Sequence, residues 1–224
     1  HLETVWTKIW QKQVAKKESI KSDINDFRQA HLLAQNWHEF AILDPKLKLE
    51  TDLQNVATRF EEYCVAQILE YACAILNKAQ KNDKQEKLHL LPAVLQLVED
   101  ENLDEKQPLI ACYKSLILLL QQPSVQGLEE LLQILEHHAA QFHKNETNGI
   151  YTVAINVAIK QYIGGKRFFD TYILSLYEQM LANDVLITNH YLAHNHFKNI
   201  LTIALKFEKI AWAKQFVATY GKQL

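Results

Sequence analysis

The chain has 224 residues, enough to bury a sizeable core as one elongated domain or two small ones. Gly and Pro number only 5 and 4, too few for the many turns of a β-rich fold, whereas good helix formers such as Leu, Ala, Gln, Glu and Lys are abundant. A net charge of −2, with only Arg28, Arg59 and Arg167 among 24 basic residues, argues against a nucleic-acid binder, which needs a basic patch and uses Arg for bidentate contacts.

The spacing of Leu2, Val5, Trp6, Ile9 and Trp10 predicts a first helix over about 2–17. Trp6 and Trp10 suit a partner contact, but both fit the apolar stripe, so core packing is the preferred reading. Lys12, Lys16 and Lys17 form the one mildly basic stretch and read as a solvated face. A second helix is predicted over 23–43, with Ile24, Phe27, Leu32, Trp37, Phe40 and Ala41 turned inward. Asp44-Pro45 stops it, because the residue before proline is pushed out of the α region. A third helix opens at Thr51, where Thr51-Asp52-Leu53-Gln54 fits a capping box, and continues to about Ala79, a rod of roughly 40 Å. Its apolar residues, among them Val56, Phe60, Cys64, Leu69, Ala72 and Leu76, cover much of its circumference. It is therefore expected to be a central spine packed on more than one side. Lys78 to Lys87 reads as a polar linker. A short helix over 91–99 and a second polar loop over 100–107 lead to Pro108, which suits the first position of a new helix.

Three helix pairs follow. The first joins 108–121 to 125–140, with Ser124 as N-cap. The second joins 148–163 to 166–182, broken by Gly164-Gly165, since glycine reaches the left-handed conformation that ends a helix. The third joins 189–207 to 209–222, with Thr188 as cap. Leu128, Phe169 and Trp212 align across the pairs, as do Leu132, Ile173 and Phe216, then Leu135, Leu176 and Thr219. Upstream, Leu116-Ile117-Leu118 lies over Val157-Ala158-Ile159 and Ile203-Ala204-Leu205. The first offset is 41 residues; the second is 46 in the upstream half and 43 in the downstream half, so the loop changes length and the helices do not. A repeat of this size marks a stacked helical array, whose hairpins cannot bury their apolar faces alone. No strand-like alternation of useful length appears. The expected fold is all-α, about ten helices in antiparallel pairs. An N-terminal helical part over 1–107 would carry the spine at about 51–79, and the three pairs would fill 108–224; the alternative is one continuous solenoid. The chain is expected to be part of a longer protein or to lack flexible ends.

The third pair resembles a degenerate tetratricopeptide repeat at Phe197, Ile200, Leu201 and Ala204 of its first helix. The likeness continues at Phe207, Ile210, Ala213, Val217 and Tyr220. It departs in carrying Leu201 where that family prefers glycine or alanine, in lacking a closing proline, and in a spacing above the usual ~34 residues. The segment over 108–224 is therefore TPR-like. Ala154-Ile155-Asn156 through Phe168-Phe169, and Phe197-Lys198-Asn199-Ile200, are similar to stretches of uncharacterised bacterial helical-repeat proteins. The resemblance implies a TPR-like α–α superhelix whose first helices line a concave face. It places ligand contacts at Ser115, Asn156 and Thr202, at Lys198, and at Lys160 with Lys206. The bland alternative is that the small polar groups bond back to their own helices.

His190, His194 and His196 form the best histidine cluster; the first two have the four-residue spacing of zinc-binding helices. With no H-E-x-x-H and no carboxylate in the run, a polar cluster at a loop end is the preferred reading. His137, His138 and His143 read as a polar helix end. Gly164-Gly165-Lys166-Arg167 suits a phosphate at a helix start, but as a helix break it needs no ligand, and that is the preferred reading. The adjacent acidic pairs diverge on a helix and read as solvated. No nucleophile motif and no nucleotide-binding glycine loop occurs, so neither an enzyme nor a cofactor is expected. Cys64, Cys73 and Cys112 read as buried thiols, suiting a reducing compartment. The longest apolar run, 109–120, is too short to span a membrane. The expectation is a cytoplasmic interaction scaffold holding a peptide or protein segment in its groove. A structural segment of a larger protein, or a metal- or small-molecule-responsive regulatory domain, are the alternatives.

Overall fold

The computed structural model describes residues 23–43, 52–82 and 87–222. Among these residues the fold is helical. In chain order the helices are α1 (Ile24–Leu43), α2 (Leu53–Asn82), α3 (Leu91–Asp100), α4 (Leu103–Lys106), α5 (Pro108–Gln121), α6 (Val125–His138), α7 (Lys144–Ile163), α8 (Phe169–Ala182), α9 (His194–Lys206) and α10 (Ile210–Tyr220). The helix expected over 2–17, with Trp6 and Trp10, lies outside the described residues.

Local chemistry sets most boundaries. Asp23 and Asp26 cap α1 reciprocally: the Asp26 amide donates to Asp23 Oδ1 at 3.0 Å and the Asp23 amide donates to Asp26 Oδ2 at 2.9 Å. The start of α2 is capped by Asp52, whose carboxylate accepts the Asn55 amide at 2.9 Å. Thr51, the expected cap, lies outside the described residues. Pro108 takes the first turn of α5, and Ser124 caps α6 by accepting the Gly127 amide at 3.0 Å. Gly165, at φ +100°, makes the break after α7.

Four expectations are corrected. The polar run from Lys78 is not a linker at its start: α2 continues through Asn82, because Lys, Ala and Gln favour helix when an end finds partners. Those partners exist. Gln80 Nε2 donates to the Leu120 carbonyl at 2.8 Å, and Lys160 Nζ donates to the Gln80 carbonyl at 2.9 Å. The polar stretch 100–107 contains the one-turn helix α4, reached through Asn102 at φ 50°. The helix expected at Asn148 starts four residues earlier, at Lys144. Finally, a small hairpin precedes α9. Ile187–Thr188 pairs antiparallel with Tyr191–Leu192, and the turn residues Asn189 and His190 both have positive φ, 51° and 68°. A two-residue turn with two positive φ values matches the right-handed twist of the strands.

The long helix α2 lies between α1 and α5 and also touches α3. Its buried residues are Val65, Ala66, Leu69, Ala72 and Cys73, whereas Phe60, expected inside, is 49% exposed and meets the His31 ring at 4.9 Å. Helices α5 and α6, α7 and α8, and α9 and α10 form hairpins. Pair one stacks on pair two through α5 on α7 and α6 on α8, and pair three meets pair two through α9 on α8. One cluster of buried apolar side chains runs from Ile24 to Phe216, continuous across the 107/108 boundary.

The aligned positions share their phase. Leu116, Ile117, Val157, Ala158 and Ala204 are buried, while Leu118 and Leu205 are exposed. Leu128 and Phe169 are buried, but Trp212 is half-buried and donates its indole N–H to Glu178 on α8. Among the described helices α10 packs mainly on α9, so the third anchor is covered less. No helix of the described residues is long and apolar enough to cross a membrane.

Candidate functional site

A groove of about 490 Å³ opens between α7, α8 and α9. Ile155 and Ile159 of α7, Tyr177 and Met180 of α8, and Ile203 of α9 supply its apolar lining. Its polar lining comes from Thr152 and Asn156 of α7 and from His196, Lys198, Asn199 and Thr202 of α9. A smaller hollow of about 260 Å³ adjoins α2 and is lined by Asn77, Gln80, Asn156, Ile159, Lys160 and Ile163. Asn156 and Ile159 belong to both, and neither hollow contains a carboxylate.

Three of the six residues expected to contact a ligand, Asn156, Lys198 and Thr202, therefore line one groove. Asn156 is half-buried and Thr202 exposed, and neither side chain hydrogen-bonds within the described residues, its own helix backbone included. A half-buried amide without a partner carries an unmet hydrogen-bonding demand that water or a ligand satisfies.

The other three are placed differently. Ser115 lines neither hollow, and its Oγ is enclosed with no hydrogen-bond partner among the described residues. Lys160 lines the smaller hollow, but its ammonium is already engaged with the Gln80 carbonyl, capping α2 from a different helix. Lys206 stands over the Tyr162 ring at 5.6 Å, with the Arg167 guanidinium 4.8 Å from the same ring. Arg167 thus has an intramolecular aromatic contact beside the Gly164-Gly165 break.

The histidine arrangement differs from the helical spacing expected. His190 sits in the hairpin turn, and α9 begins only at His194, so the two do not share a helical face. His196 turns to the groove. Among the described residues, the one group of His, Cys, Asp or Glu close enough to hold a metal is Asp23, Asp26 and His143.

A buried polar network absent from the sequence reading lies where α1, α2, α5 and α7 meet. Tyr113 on α5 donates its hydroxyl to Glu146 on α7, and Cys73 Sγ on α2 donates to the Tyr113 carbonyl at 3.5 Å. Burial pushes the Glu146 carboxyl above its ordinary range; the Tyr113 hydrogen bond pulls it down, and the Glu70 and Asp23 charges push it up. No motif announces this network, because its members are 33 and 40 positions apart. Burial also raises the Cys112 thiol to about 12 and the Cys73 thiol further, so both are protonated at neutral pH, the form that is a poor nucleophile.

No protein-family model matches this chain, and no curated protein or solved structure does either.

Proposed function

We propose that the protein is a non-catalytic interaction scaffold, TPR-like in the stacking of its helix pairs, that holds a peptide or protein segment in the α7–α8–α9 groove. The observation that carries this reading is the half-buried Asn156 amide, without a hydrogen-bond partner among the described residues, on an apolar groove that Thr202 and Lys198 also line. An extended segment uses such a surface well: its apolar side chains cover Ile155, Ile159 and Met180 while its backbone meets the amide. The rim carries Lys198 and His196 with no carboxylate, which favours a neutral or acidic segment over a basic one.

The test uses Thr202, because it is exposed and its substitution leaves the core untouched. A photo-crosslinking residue at Thr202 should capture a defined partner segment that the same residue at Thr171, exposed on α8 and outside the groove, does not. Thr202→Tyr and Asn156→Ala should each reduce that capture without moving the thermal midpoint by more than a few degrees. Equal capture from both positions, or capture indifferent to Asn156→Ala, sinks the groove reading.

A structural segment of a larger assembly is the second reading. It is favoured by Leu205, Ile210 and Val217 on the last pair, 49, 48 and 42% exposed respectively.

A further inference from the structure

Three ligand-type atoms converge on the surface where α1 meets α7. Asp23 and Asp26 come from the start of α1, and His143 stands directly before α7. One ligand atom from each lies within 4.8 Å of the others. The reciprocal cap occupies Asp23 Oδ1 and Asp26 Oδ2, so each aspartate keeps its second oxygen free of that bond. The free Asp23 Oδ2 is 4.0 Å from His143 Nε2. That distance is too long for a hydrogen bond. It is wider than the ~3.3–3.6 Å that two ligands span about a tetrahedral ion at ~2.0–2.2 Å, so binding draws the exposed imidazole a few tenths of an ångström towards Asp23.

The charge balance is a separate observation. Glu146 follows His143 by three residues, and the Asp23 and Glu70 charges both act on its carboxyl. Among the described residues, no Lys or Arg forms an ion pair with Asp23, Asp26, Glu70 or Glu146. Among the described residues, four carboxylates thus gather where three helices meet, with one imidazole as the candidate counter-charge and the Ile24 amide donating to Glu146. Such an excess of negative charge is relieved by a bound cation.

We infer that Asp23, Asp26 and His143 form a site for a divalent transition ion, Zn2+ above all, that fastens the start of α1 to the start of α7. One imidazole with two carboxylates is a borderline donor set. It favours Zn2+ over Mn2+ by affinity order, and over Ca2+, which prefers oxygen ligands alone. The remaining coordination positions face solvent, since His143 is exposed. The ion's role there is to join two elements that are distant in sequence, and no chemistry is assigned to it.

The experiment is a thermal melt of the full chain, stripped with EDTA and then titrated separately with Zn2+, Mn2+ and Ca2+. Zn2+ at a hundredfold excess over its Kd should raise the midpoint by roughly 5–10 °C. His143→Ala removes the one nitrogen ligand and should abolish the shift, while His194→Ala leaves it unchanged. Asp26→Asn, which keeps an oxygen for the reciprocal cap, serves as the second variant should His143→Ala not fold, and should also weaken Zn2+. The inference is overturned if Zn2+ gives no shift, if Ca2+ shifts the midpoint as much as Zn2+, or if the shift survives both His143→Ala and Asp26→Asn. Loss of the shift in His194→Ala instead would place the ion at the other histidine cluster and overturn it equally.

Discussion

At the scale of the residue, Glu146 carries the sharpest electrostatic consequence. Its carboxyl is harder to ionise in the folded chain than in the unfolded one, chiefly through burial. Its protonation therefore favours the folded state. That contribution is complete below the ordinary carboxylate range and is lost as pH rises through the raised folded value. Glu146→Gln remains neutral at every pH and still offers an oxygen to the Tyr113 hydroxyl. In metal-free protein, the midpoint of this variant relative to the parent should be higher at pH 7 than at pH 4; a difference constant with pH would refute the account. Nothing in the sequence marks Glu146, since a glutamate in the first turn of a helix ordinarily reads as a favourable charge on the helix dipole. Only the approach of α1 and α5 changes its meaning. Asn156 and Thr202 were legible for the opposite reason: a small polar residue recurring inside apolar helices breaks a pattern visible in one dimension.

At the scale of the element, boundaries were legible where a single residue makes them. Ser124, Pro108 and Gly165 each act through their own backbone or a neighbour three residues away. Ser124→Ala should thus cost about 1 kcal/mol of stability, measurable by denaturant unfolding, with an unchanged slope against denaturant. No measurable loss would mean that the Gly127 amide finds water as good a partner. Boundaries set by distant groups were not legible. The end of α2 depends on Leu120 and Lys160, so the polar composition of 78–82 looked like a linker when read alone. The hairpin at 187–192 was missed because two-residue strands carry no alternation, and a turn built from Asn189 and His190 lacks the usual glycine.

At the scale of the whole molecule, the continuous core decides whether the chain behaves as one cooperative unit. Ile173 is fully buried within that core, and Ile173→Ala should cost about 3 kcal/mol. If the core is one unit, native-state hydrogen exchange of the most protected amides in α2 and in α7 should accelerate together. Protection in α2 that ignores the substitution would show two separate cores. Repetition in the sequence made the helix pairs and their phase legible, because the same positions must be covered in each pair. It left the third pair's weaker coverage illegible, because identical patterns do not reveal how many neighbours a helix has. The link between Lys160 and Gln80 bears on how the chain comes into being. Residue 80 leaves the ribosome well before residue 160, so the last turn of α2 waits through 80 residues of synthesis for the cation that closes it. A nascent chain halted before α7 would hold that turn through the Gln80–Leu120 contact alone, and protease cleavage near residue 80 should be faster in it than in the full chain.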